Sequence, residues 1–330
     1  MIIGIVSFSE KGYTLQEQVI ENFPEYIWFE KEGNLKEWVA TCFQYRYPIL
    51  FIGATGIATR LIAPFVKNKT KDSAILVMDE LANFVIPLLA GHIGGANDLT
   101  RKLAKRMDAT PVITTATDME NVFAVDVFAQ KNSFRIVDTK GIQKISSKLL
   151  NKEKCTISID PSIHFRKEEI PSCLTLVETG GDICLVRNEK DIPCLIQLVF
   201  QPWAVGMGCK RGKSFEELQA FLLENVNGKD VWKIGSLNSI DLKKREWGLH
   251  TLAQYNGWKL HLYAKEELET VKEVSASSDF VKEITGVDNV CERAALMGEL
   301  LVPKLSKNGM TFALASIVAC VKTWETGYGE

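Results

Sequence analysis

"YPILFIGATGIATRLIAP" (residues 47–64) decides the fold. Its first half is an unbroken apolar run, which suits a strand buried on both faces of a parallel sheet better than one with a wet side. The run stops at Gly53, and Thr55 is placed to cap a short helix that ends near Pro64. A strand passing straight into a helix is the repeating unit of an α/β layer fold, and the pattern recurs around it. "IIGIVSF" (2–8), "AILVMDE" (74–80) and "NFVIPLLAG" (83–91) read as further strands. "NDLTRKLAKRM" (97–107) reads as a helix, with Leu99, Leu103 and Met107 recurring every four residues beside Ala96 and Ala104.

A chain of 330 residues exceeds one ordinary core. The pattern predicts two parallel-sheet α/β units, a Rossmann-like one over 1–130 and a three-layer one over 201–330, joined by a small middle domain over 131–200. In the last unit "WAVGMGC", "VWKIGSL", "WKLHLY" and "TFALASIVA" read as strands. "SFEELQAFLLENV", "SIDLKKREWGLHTLAQY" and "VCERAALM" read as helices.

Lys and Arg number 39 against 41 Asp and Glu, a net charge of −2, so no general attraction to nucleic acid or anionic membrane is expected. Any anion must be held by local basic clusters. The opening "MIIGIVSFSEKGY" has no basic n-region or small-residue cleavage site and reads as a first strand. Apolar runs fall short of the ~18 residues of a membrane span. The eight cysteines never form a C-x-x-C pair, so neither a metal site nor a dense disulfide framework is expected, and the cytosol is the simplest location.

Several loops can carry chemistry. Gly53 and Gly56 sit at a strand–helix turn, where backbone N–H groups can meet a ligand at the carboxyl edge of a sheet. Their G-x-x-G spacing is not the dinucleotide fingerprint, and a plain turn remains open. Arg60 adds a fork of donors or is an exposed helical arginine. Asp79 and Glu80 close a strand, and adjacent strand residues point to opposite faces, so they are no ready-made dyad. His92, in "LLAGHIGGAND" (88–98), lies among Gly91, Gly94 and Gly95 just before a helix. The positive end of that helix favours a neutral, proton-accepting imidazole, and the glycines leave room for a ligand. In "ITTATDMENVFAV" (113–125), Thr117 and Glu120 have capping-box spacing and Asp118 is an alternative cap, which leaves Thr114 and Thr115 as donors. "VGMGCKRGKSFEEL" (205–218) fails the P-loop test, because position 207 is Met and the glycines are Gly206 and Gly208. Its Lys210, Arg211 and Lys213 still make a fair anion loop, with Ser214 and Glu217 as a capping box. Ser239 or Asp241 caps the next helix, whose Lys243, Lys244 and Arg245 read as a solvated face. Cys291 reads as a buried, inert thiol.

Taken together, these stretches resemble the cobalt-precorrin-5A hydrolase family of anaerobic cobalamin biosynthesis. The similar segments are "FIGATGIATRLIAP", "DELANFVIPLLAGHIGGANDLTRKLA" and "ATPVITTATD", then "VGMGCKRG", "SIDLKKREWGL" and "GVDNVCERAAL". Residues 131–200 match poorly. The resemblance implies a hydrolase that opens the ring A δ-lactone of a cobalt-bearing contracted tetrapyrrole and releases C20 with its methyl group as acetaldehyde. It implies no cofactor of the protein's own, since the cobalt arrives in the substrate. For that reaction His92, read above as a neutral imidazole, is the expected base, with Glu80 or Asp79 next. For such a substrate the loops read above supply the expected contacts, Gly53, Thr55, Gly56, Arg60, Gly91, Gly94, Gly95, Asn97, Thr114, Thr115, Gly206, Gly208, Lys210 and Lys243, provided the two units face each other. A homodimer and channelling contacts with neighbouring pathway enzymes fit the same reading. Two rival classes stay open: a tetrapyrrole carrier without catalysis, and a nucleotide-dependent enzyme using loop 206–214.

Overall fold

The computed structural model describes residues 1–68, 71–92, 94–116, 120, 122–271, 289–295 and 298–326. They form two compact units, 1–122 and 123–326, which contain three α/β sheets. Thr117 and Asp118, with the capping proposed for them, lie outside the described residues.

The first sheet holds β1 (Ile2–Ser7), β2 (Ile27–Glu30), β3 (Ile49–Ile52), β4 (Ile75–Met78), β5 (Phe84–Leu89) and β6 (Thr110–Pro111) in the order β2-β1-β3-β4-β5-β6. Strands β1 to β4 are mutually parallel, while β5 runs against β4. Alternate residues feed two cores. Ile3, Ile5, Leu50, Ile52, Leu76 and Met78 pack with α1 (Glu10–Asn22) and α4 (Ala96–Met107). Ile2, Val6, Ile49, Phe51, Ile75 and Val77 pack with α2 (Leu35–Tyr45) and α3 (Thr55–Ile62) on the other face. Each such side chain contributes about 1.5–3 kcal/mol over exposure, so the runs are apolar at every position. Thr55 is not the cap expected of it. The N-cap of α3 is Ala54, without a side-chain bond, and Thr55 is the first helical residue.

In the second unit, α5 (Val125–Lys131) leads into β7 (Phe134–Ile136), α6 (Lys140–Leu150), β8 (Cys155–Ile159), β9 (Leu174–Leu176), β10 (Gly181–Val186) and β11 (Cys194–Phe200). These strands are ordered β7-β11-β10-β8-β9, and all are parallel except β7. The third sheet follows with β12 (Trp203–Cys209), α7 (Phe215–Asn225), β13 (Ile234–Ile240), α8 (Trp247–Asn256) and β14 (Lys259–Tyr263). It closes with α9 (Lys265–Glu269), α10 (Val290–Ala295), β15 (Gly298–Lys307) and β16 (Met310–Ile317). Its order is β14-β13-β12-β16-β15. Helix α7 begins on the expected capping box of Ser214 and Glu217. Helix α8 begins later than expected. Ser239 is still in β13, with its hydroxyl donating to the Met207 carbonyl, and Asp241–Lys243 is a single 3₁₀ turn. The hairpin β15–β16 turns on Asn308 and Gly309, both at positive φ as a type I′ turn requires.

Small residues set how closely α10 lies on the third sheet. Cys291 and Ala295 pack on Ala313 and Ala315, and a Cβ at Gly206 would stand 1.7 Å from the Cys291 carbonyl oxygen. The Gly206→Ala variant is expected to lose about 3 kcal/mol of stability or more in urea unfolding, because the obstacle is backbone. A change below ~0.5 kcal/mol would remove this packing role. Within α8, burial pushes the His250 imidazole down to about 4, and its Nε2 lies 3.0 Å from the Lys244 carbonyl. The unfolded chain protonates that ring near pH 6.5, so stability is retained above 6.5 and falls as pH drops towards 4. The loss is on the order of 3 kcal/mol, and His250→Gln should flatten that part of the pH profile.

Candidate functional site

The candidate residues of the first unit divide between two opposite edges of its sheet. At the carboxyl edge of the parallel strands stand Gly53, Thr55, Gly56, Arg60, Asp79 and Glu80, following β3 and β4. Strand order reverses between β1 and β3, and such a switch point opens a crevice in doubly wound sheets. Glu80 accepts a 2.5 Å hydrogen bond from the Ser9 hydroxyl, which also caps α1 by accepting from Gly12 N–H. The sequence reading missed Ser9, whose signal was a serine just before a helix. Gly53, at φ +147°, donates to the Met78 carbonyl and lies under the Phe8 ring. The Thr55 and Gly56 N–H groups, in the first turn of α3, have no acceptor among the described residues. Arg60 folds back onto the Gly56 carbonyl at 3.2 Å. Asp79 is engaged differently: its carboxylate accepts from Phe84 N–H at 2.6 Å, Leu81 N–H at 3.3 Å and Asn83 Nδ2 at 3.1 Å. Those bonds build the β4–β5 turn.

Because β5 runs the other way, the loop after it lies at the far edge, roughly 13 Å of strand from Gly53. Gly91, His92, Gly94 and Gly95 stand there with Asn97, Thr114 and Thr115. His92 is half-buried. Asn97 is buried and donates from Nδ2 to Thr115 Oγ1 at 3.2 Å, which leaves the Thr115 proton to point elsewhere. The glycines are required by contact more than by a ligand. A Cβ on Gly91 would meet Asn97 Oδ1 at 2.8 Å, and one on Gly94 would meet Ala90 Cβ at 2.4 Å. Gly95 needs its φ of +79° to start α4, and only there is the space beside the backbone open. The N–H groups of Gly95, Ala96 and Asn97 donate to the carbonyls of His92, Ala90 and Gly91. Those three amides, at the start of α4, are therefore already engaged.

The second unit has a pocket of about 860 Å³ at the carboxyl ends of β12 and β13. Gly208, Lys210 and Lys243 line it as the sequence suggested, but Gly206 does not, since it faces α10. The pocket also takes in Arg211, Glu246 and Lys304, the last from the β15–β16 hairpin. That hairpin went unread, although Asn-Gly before an apolar run was its signal. Glu246 is buried, holds Gly212 N–H at 3.1 Å and lies 3.3 Å from Lys243 Nζ. Lys210 N–H donates to the Gly309 carbonyl and Ser214 N–H to Glu217. The N–H groups of Lys210, Gly212 and Ser214 are thus engaged by the protein itself, whereas a phosphate cradle leaves successive N–H groups open. Burial pushes the Cys209 and Cys291 thiols beside it up to about 11, the wrong direction for a nucleophile. Among the described residues no three His, Cys, Asp or Glu side chains converge as a metal site, and no helix is long and apolar enough to cross a membrane.

Family models described as cobalamin synthesis G N-terminal and cobalamin synthesis G C-terminus match residues 37–118 and 203–315. A cobalt-precorrin-5A hydrolase of Salmonella typhimurium is 33% identical over 86% of this chain and 86% of its own. One of Priestia megaterium is 30% identical over 87% and 80%. A crystal structure of a cobalamin biosynthesis protein G homolog from Sulfolobus solfataricus is 25% identical, covers 95% of this chain and 96% of its own, and gives a TM-score of 0.44.

With the amides at 210, 212 and 214 engaged, the loop offers no nest for a triphosphate. Calorimetric titration with Mg-ATP is expected to show no binding, and a dissociation constant tighter than ~1 mM would reopen the nucleotide-dependent class.

Proposed function

The chain belongs to the cobalt-precorrin-5A hydrolase family, and from that premise we propose that it opens the ring A δ-lactone of cobalt-precorrin-5A with water and releases C20 as acetaldehyde, giving cobalt-precorrin-5B. The observation that carries this reading is the 30–33% identity to proteins of that name across 80–86% of their length. The cobalt enters and leaves with the macrocycle, and the protein works in the cytoplasm without a cofactor of its own.

His92 is the base in this reading. It takes a proton from the water attacking the lactone carbonyl, a task that contributes ~10²–10⁴-fold. Since the Gly95, Ala96 and Asn97 amides are engaged, the hydroxyls of Thr114 and Thr115 are the donors for the oxyanion. Collapse of the tetrahedral intermediate frees the ring A acetate as a carboxylate and leaves a hydroxyl on C20. Loss of that proton forms the aldehyde C=O. The bond between C20 and the ring breaks, and its electron pair passes into the electron-poor macrocycle.

A second reading puts the chemistry at the other edge, with Glu80 as base beside the open N–H groups of Thr55 and Gly56. Anaerobic incubation with cobalt-precorrin-5A, aldehyde trapping and corrinoid spectra separate the two. His92→Ala is expected to cut turnover at least ~10-fold while the macrocycle still binds, and Glu80→Gln to stay within ~3-fold. The opposite pattern moves the reaction to Glu80. Acetaldehyde that stops at one equivalent of protein would make the molecule a carrier.

A further inference from the structure

We propose that the pocket of the second unit is a seat for a flat apolar ring with several carboxylates on its rim, gripped by the side chains of Lys210, Arg211 and Lys304. The ligand's identity as a tetrapyrrole rests on the hydrolase reading above, whereas its polyacid chemistry rests on the pocket alone.

Among the described residues five cations line the pocket, from the β12 loop, the turn after β13 and the β15–β16 hairpin, against the single carboxylate of Glu246. Two of the five are matched internally. Lys243 pairs with Glu246, and Lys307 pairs with Glu224 at 2.7 Å. The charged ends of Lys210, Arg211 and Lys304 form no ion pair among the described residues, although the Lys304 backbone N–H donates to Glu292 Oε1 at 2.6 Å. They gather in a chain whose net charge is −2, so the clustering is local. Like charges around one cavity repel, and an acidic ligand removes that repulsion.

The remaining wall says what lies between the acids. Ile240, Val290 and Met310 are buried against the cavity, while Leu242 is 59% exposed at it. An apolar side chain held in the open beside three cations suits a ligand that is apolar in the middle and anionic outside. The volume is in the upper part of the range for small-molecule sites. A phosphate group fits less well. The N–H groups of Lys210, Gly212 and Ser214 are bonded to Gly309, Glu246 and Glu217, which leaves no two successive amides of the loop open, so recognition falls to side chains. The arginine fork takes a carboxylate through two parallel bonds, and the lysines act as point charges.

The full chain can be titrated with porphyrins as probes, following their fluorescence. Uroporphyrin I carries eight carboxylates on the ring and mesoporphyrin IX only two. Uroporphyrin is expected to bind more tightly, with an affinity that falls as salt rises. Lys210→Ala with Arg211→Ala should weaken uroporphyrin at least ~10-fold and mesoporphyrin less than ~3-fold. Lys304→Ala, on a different element, should weaken uroporphyrin in the same selective way. An unfolding midpoint within ~2 °C of the parent shows that the variants are folded. Unchanged uroporphyrin affinity in both variants, or displacement of the porphyrin by equimolar Mg-ATP, would overturn the proposal. The two readings fail separately. Catalytic acetaldehyde release with unchanged porphyrin binding in the variants sinks the pocket alone, whereas charge-selective binding without any acetaldehyde sinks the hydrolase alone.

Discussion

Asp79 turns the chain back on itself, and the edge on which the His92 loop stands follows from that reversal. Its carboxylate satisfies three N–H donors of residues 81–84, so β5 returns beside β4 in the opposite direction. Without the reversal, the loop holding His92 would follow a parallel strand and emerge next to Gly53. With it, two sets of polar groups stand on opposite edges of one sheet. One edge has a carboxylate on a serine hydroxyl with open amides nearby. The other has an imidazole, two threonines and the bonded amides of Gly95, Ala96 and Asn97.

Glycine has different causes at different places in this chain. At Gly206 and Gly94 it permits contacts that a single methyl group would block, against Cys291 and Ala90 respectively. At Gly95 and Gly309 it supplies a backbone angle. A reading that takes glycine as room for a ligand is sound only where nothing else fills the room, and at Gly91 that space belongs to Asn97. The neighbouring chain had to be folded before those cases could be told apart.

The third sheet shows a parallel contrast between charge and backbone. Its loop 209–214 resembles a phosphate-binding turn in composition, with three basic residues and a glycine. A buried glutamate some thirty residues later occupies Gly212 N–H and draws Lys243 to itself. What the loop presents outward is therefore cationic side chains over an apolar wall. Recognition by ammonium and guanidinium groups suits scattered carboxylates, while a cluster of amides would suit a compact phosphate.

Several elements were legible in one dimension. Continuous apolar runs marked β1, β3 and β4, the four-residue recurrence of Leu99, Leu103 and Met107 marked α4, and Ser214 with Glu217 marked the start of α7. These signals are local, set by side-chain alternation and by donors within one helical turn. Strand direction was not legible, because an apolar run reads the same whichever way its neighbour points, and so the edge on which His92 stands was decided by tertiary pairing. The partners of Glu80 and Gly212 were equally hidden, since Ser9 and Glu246 lie 71 and 34 residues away in the chain. Sequence alone determined that strands β1, β3 and β4 and helices α4 and α7 lie where they do and that polar loops follow them. Only the folded chain determined which of those loops meet, because hydrogen bonds between distant residues leave no periodicity to read.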